Sequence, residues 1–194
     1  MGKFKTSLTA MAVVIALGAC SEQKAPETTG ADTQTATTSE QAQFDNVLLQ
    51  EFKGPYGGVP AFDKMKLEDL KPALEKAMAL NLEEIEAIAN NEAPPTFENV
   101  IVEMERAGAE LGRVFTYYGI WSANKSSPEF REIQAEMSPK LSAFFTQITQ
   151  NEKLFERVKT VYESDELKSL TPEEQRITWM TYNGFARNGA TLDS

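Results

Sequence analysis

"LEDLKPALEKAMALNLEEIEAIAN", Leu67 to Asn90, decides the fold. Leu67, Leu70, Leu74, Ala77, Met78, Leu82, Ile85 and Ala89 recur at intervals of three and four. That spacing places them on one face of an α-helix and does not fit the two-residue period of a strand. Pro72 falls in the opening turns, where the missing amide hydrogen costs least. Glu83, Glu84 and Glu86 crowd the second half. They can be read as metal ligands or as a solvated face. With no histidine in the chain and no matching carboxylate pair elsewhere, a solvated face is the expectation.

Downstream, the same signals repeat. Pro94 and Pro95 cannot continue the first helix, and Thr96 is a good N-cap for a second one. Its stripe runs through Phe97, Val100, Ile101, Met104, Ala107, Leu111, Val114, Phe115 and Tyr118 to about Trp121. Aromatic residues at that spacing belong to a core. Ser127-Pro128-Glu129 opens a third helix, with Phe130, Ile133, Met137, Leu141, Phe144, Phe145 and Ile148 on its stripe. Pro139 is expected to kink or break it near Met137. Asn151 caps a fourth helix carrying Leu154, Phe155, Val158, Val161 and Tyr162. Thr171-Pro172-Glu173-Glu174 is a capping box that opens a fifth, with Ile177, Met180 and Phe185. Arg187-Asn188-Gly189 ends it, since glycine supplies the positive φ that closes a helix. No stretch alternates like a strand. The expectation is an all-α fold of successive antiparallel helices over residues 44–194.

Upstream of Leu67 the chain is irregular. Gly54-Pro55-Tyr56-Gly57-Gly58 is turn chemistry. It lacks the GxxxxGK[ST] order of a phosphate loop, and no strand precedes it. Leu48, Leu49, Phe52, Tyr56 and Phe62 are expected to pack on the helices. Residues 20–43 hold Ser, Thr, Glu, Gln, Ala and Asp with almost no large apolar side chain. Such a segment buries too little to order itself and reads as a tether. A flexible chain of this length spans roughly 25–29 Å.

Residues 1–19 have the form of a signal peptide: Lys3 and Lys5, then an apolar stretch from Leu8 to Leu17. Leu17-Gly18-Ala19-Cys20 has the pattern of a bacterial lipoprotein cleavage site, and Cys20 is the one cysteine in the chain. Its thiol is the expected acceptor of the lipid, and several acyl chains give stable anchoring. By resemblance to lipoprotein sorting in Gram-negative bacteria, Ser21 in place of Asp implies the outer membrane, with the folded part expected to face the periplasm.

Composition narrows the chemistry. The formal net charge is −10 over 194 residues, which argues against nucleic acid or an anionic lipid surface as the main partner. The absence of histidine removes the usual zinc sites and the His-based nucleophile pairs from this chain. Tyr117, Tyr118, Trp121 and Asn124 are candidate contact residues near the end of the second helix, with core packing or hydration as the plainer reading of each.

Three stretches carry a resemblance. "PAFDKMKLEDLKPALEKAM…EIEAIANN…PPTFENVIVEMERAG", "SPEFREIQAEMSPKLSAFFTQITQNEKLFERVKTVYES" and "LTPEEQRITWMTYNGFARNGATLDS" together resemble the N-terminal region of the thimet oligopeptidase and neurolysin family of zinc metallopeptidases, especially its bacterial peptidyl-dipeptidase branch. The resemblance implies an all-α fold around a channel that admits short peptides. It implies zinc held by HExxH and a later glutamate, with dipeptides released from the substrate C-terminus. None of those ligands is in this chain, so zinc and its ligands are expected beyond Ser194. On that reading Leu192-Asp193-Ser194 is a cut inside a peptidase. The chain is then a channel wall, inactive by itself, whose partners are short peptides, the membrane through Cys20, and the rest of the same polypeptide. The alternative is a stand-alone helical lipoprotein that acts as a binding or interaction module.

Overall fold

A computed structural model describes residues 46–54 and 58–190. The expected signal peptide (1–19), Cys20, the expected tether (20–43), Tyr56 and residues Leu192 to Ser194 all lie outside the described residues. The described residues form helices and loops, and among them the only β contact is an isolated bridge between Lys53 and Val59.

The chain enters through a short 3-10 turn, Val47–Leu49, capped by the Asn46 side chain on the Leu48 amide. A second 3-10 turn, Leu67–Asp69, feeds α1 (Leu70–Ala89). A wide π turn, Phe97–Val102, continues into α2 (Glu103–Arg106). Then come α3 (Ala109–Asn124), α4 (Pro128–Thr149), α5 (Glu152–Glu163) and α6 (Pro172–Phe185). Another π turn, Ala186–Ala190, closes α6, and Gly189 there takes φ 94°, as a terminating glycine should.

Every predicted cap is made. Thr96 and Thr171 form reciprocal capping boxes with Asn99 and Glu174. Ser127 accepts from the Phe130 amide and Asn151 from that of Leu154. Each satisfies an amide that the first turn would leave unpaired, worth about 1 kcal/mol.

α1 is the spine, and its apolar face serves two cores. Its first half, Leu70, Ala73, Leu74 and Ala77, packs with Leu48, Leu111, Val114, Tyr117, Trp121, Phe130, Met137 and Phe144. Its second half, Ile85, Ile88 and Ala89, packs with Val100, Ile101, Leu154, Phe155, Val158, Val161 and Phe185. Ile148 touches both. Fully burying one Leu, Ile or Val stabilises by about 1.5–3 kcal/mol, so these contacts hold the helices in place.

Two expectations about continuity are corrected. The stripe from Phe97 to Tyr118 is not one helix. It breaks at Ala107, which is extended, and Gly108, which sits at φ 79°. The cause is tertiary: the Glu84 carboxylate takes the Gly108 amide, so the chain need not continue its helical ladder there. Conversely, Pro139 does not end α4, which runs unbroken from Pro128 to Thr149. Pro139 and Ala135, whose carbonyl the proline leaves without its helical donor, are both exposed, so water can serve that oxygen.

Candidate functional site

The sequence candidates near the second helix end turn out to be framework. Tyr117 is buried. Its hydroxyl accepts the Ala61 amide hydrogen at 2.8 Å, and its ring meets Phe52 and Phe62 edge-on. Trp121 is buried in the same core. The Tyr118 hydroxyl accepts from Gln134 at 3.1 Å, and its ring leans on Phe130. Asn124, at the end of α3, is the exposed one of the four. Three of these side chains fasten the lead-in segment and α4 to α3, and the four do not converge on a shared site.

The glutamates of α1 also divide. Glu83 and Glu86 are exposed, as expected of a solvated face. Glu84 departs from that reading. It is half-buried and accepts the Gly108 amide hydrogen at 2.7 Å, with the Asn81 amide group 3.4 Å away. Gly108 is needed there: a Cβ would stand 3.0–3.2 Å from the Asn81 side-chain amide.

Arg157 on α5 is a structural anchor that the sequence did not flag. It is buried and has no carboxylate partner among the described residues. Its guanidinium donates to the carbonyls of Asn91 (2.6 Å) and Ala93 (3.0 Å) and to Asn99 Oδ1 (3.2 Å). Its Nε–H has no partner. Burial lowers its pKa from the ordinary guanidinium value. From across the next connection, Glu166 accepts the Phe97 amide hydrogen at 3.1 Å. Arg157 and Glu166 thus hold the loop and π turn that lead into α2.

One cleft adjoins α1, and another lies between α4 and the 3-10 turn that precedes α1. The first, of about 480 Å³, lies between the second half of α1 and α2, with Ile88 and Ala107 as apolar lining. Glu84, Glu98, Glu103 and Arg106 line it too, and Arg106 bridges Glu98 and Glu103; its hydrogen bond to Glu103, followed by the carboxylate charge, raises its pKa. The other, of about 410 Å³, has Leu67 and Ile133 beside Glu68, Glu129, Glu132 and Glu136. Neither contains a nucleophile paired with a base. Among the described residues no group of three or more His, Cys, Asp or Glu side chains is placed to hold a metal. With no histidine in the whole sequence, this chain does not fit the zinc site that the resemblance implies. No step of metal chemistry follows from its residues.

Some apolar side chains face outward instead. Met180 and Phe145, expected in helix cores, are 53% and 48% exposed, and Trp179 is 44% exposed. Phe145 stacks on Phe115, whereas Trp179 makes no ring contact among the described residues. Of the α6 stripe, Phe185 is buried and Ile177 packs against the same core, while Met180 lies outside it and Thr178 is buried instead.

The neurolysin/thimet oligopeptidase N-terminal domain family matches residues 71–194. The dipeptidyl carboxypeptidase of Salmonella typhimurium is 31% identical over 147 residues, 76% of this chain and 22% of that protein. Oligopeptidase A of Escherichia coli is 28% identical over 147 residues, again 76% of this chain and 21% of that one. The chain spans about a fifth of the length of these relatives. It belongs to the neurolysin/thimet oligopeptidase N-terminal domain family, a family of peptidases.

Proposed function

We propose that this chain is the N-terminal channel wall of a longer zinc metallopeptidase that hydrolyses short peptides and releases dipeptides from their C-termini. The observation that carries the reading is the family match over residues 71–194, together with relatives named as peptidases and more than three times as long. Zinc and the residues that bind and activate it would come from the rest of the polypeptide. The role of this region is steric. Two cores on one spine make a wall stiff enough to exclude folded proteins from a site behind it. A lipid on Cys20 would hold the enzyme at the outer membrane of a Gram-negative cell, facing the periplasm.

A stand-alone helical lipoprotein is the second reading. It is favoured by one feature: both cores close with residues of this chain alone. The size of the native polypeptide separates the two. An antibody raised against residues 46–190 should detect, in the native host, a protein several times larger than 21.5 kDa. A band at or below 21.5 kDa, with nothing larger, would sink the channel-wall reading and leave the module.

A further inference from the structure

We infer that the outward face of α6 is a bilayer-docking surface. Arg176, Trp179, Met180, Asn183, Gly184 and Arg187 recur at three, four and eleven residues, so they share one side of the helix and its closing turn. All but Asn183 are exposed, and Asn183 is half-buried. Neither arginine enters an ion pair among the described residues. Gly184 has open space where a Cβ would stand, so packing within the domain does not call for glycine there. The face therefore offers an indole and a thioether at its centre, with a free guanidinium toward each end.

That chemistry suits the lipid interface. Trp places an apolar ring and a polar N–H at headgroup depth, Met enters the acyl boundary, and arginines meet phosphate oxygens. Two further features favour lipid over a separate protein partner. The stripe is one helix wide and about 16 Å long from Arg176 to Arg187, well short of the roughly 800 Å² per partner that a standard interface between separate proteins needs. Also, 45 residues precede Asn46, and they include Cys20 at the lipid-acceptor position. The proposal rests on the reading of Cys20 as an anchor. A tether of that reach raises the local lipid concentration, so a face too weak to bind by itself becomes occupied. The net charge of −10 directs the face to zwitterionic rather than anionic lipid.

The experiment uses residues 20–194 coupled through the only thiol, Cys20, to a maleimide lipid in phosphatidylcholine vesicles. The chain has two tryptophans, and Trp121 is buried, so Trp179 is the reporter. Vesicles brominated along the acyl chains should quench Trp179 in the coupled chain. Met180→Glu should reduce the docked fraction about tenfold, and Arg176→Ala with Arg187→Ala should weaken it similarly. Circular dichroism checks that each variant is folded. No quenching, or quenching unchanged in Met180→Glu, overturns the proposal. So does a blue shift without bromolipid quenching, which would place Trp179 against another copy of the chain. Because the coupling is chemical, the outcome does not depend on whether the cell acylates Cys20.

Discussion

The Glu84 carboxylate accepts the amide hydrogen of Gly108 at 2.7 Å, joining the middle of α1 to the chain break before α3. This contact lies where the apolar face of α1 passes from one core to the other. Gly108→Ala should destabilise by about 1–3 kcal/mol, from the strained φ and the crowding against Asn81. Glu84→Ala should cost a similar amount by leaving the amide unpaired, and Glu84→Gln, which keeps an acceptor oxygen, should cost less. Urea midpoints measure all three. A neutral or stabilising Gly108→Ala would show that the break is not fixed by this contact.

Arg157 is the second point of leverage. Arg157→Met keeps much of the volume but orphans the carbonyls of Asn91 and Ala93, so a loss of about 2–3 kcal/mol is expected. Arg157→Lys keeps the charge without the fork and should fall between. Hydrogen exchange should rise in residues 91–102 of the Met variant before it rises in α3. Uniform exchange across the domain would argue against a local clamp.

Acid should loosen the attachment of α4 to α1. Lys71 and Lys140 hold the Glu136 carboxyl below its usual range through hydrogen bonds, and the Ser127 hydroxyl does the same for Glu129. A carboxyl with a depressed folded pKa contributes stability above its unfolded pKa and loses it as pH falls through the folded one. Stability should therefore decline below about pH 4.5. Glu136→Gln should flatten that decline, and 1 M salt should shrink the difference because the pair is exposed. An identical acid slope in Glu136→Gln would remove this pair from the account.

The anchor has a direct test. Cys20→Ser should move the protein from the membrane fraction to the soluble fraction of its host. Retention of the variant in membranes would mean that something other than a lipid on Cys20 holds it there.

The fold was legible where the signal is local. Thr96, Ser127, Asn151 and Thr171 were read as caps because capping chemistry acts within three residues, and the structure makes each one. What was not legible depends on distant partners. Nothing near Gly108 announces a break, because Glu84 is 24 residues away and Met104, Ala107 and Leu111 keep the helical period across it. Arg157 reads as an ordinary surface charge until the loop from Asn91 to Ala93 folds over it. Period alone also did not say which flank of a stripe meets a neighbour, so Met180 and Phe145 were assigned to cores that they do not enter. For Tyr117 and Trp121 the plainer of the two sequence readings, core packing, is the one that their burial bears out.

The central claim is that this domain works as part of a peptidase. The most direct measurement is hydrolysis by the native polypeptide, isolated from its host with an antibody to residues 46–190 and given short peptides blocked at the N-terminus. The account predicts release of C-terminal dipeptides that a zinc chelator abolishes and added zinc restores, while purified residues 20–194 release none. An isolated native polypeptide that leaves such peptides intact with zinc present, or chelator-sensitive cleavage by residues 20–194 alone, would contradict it.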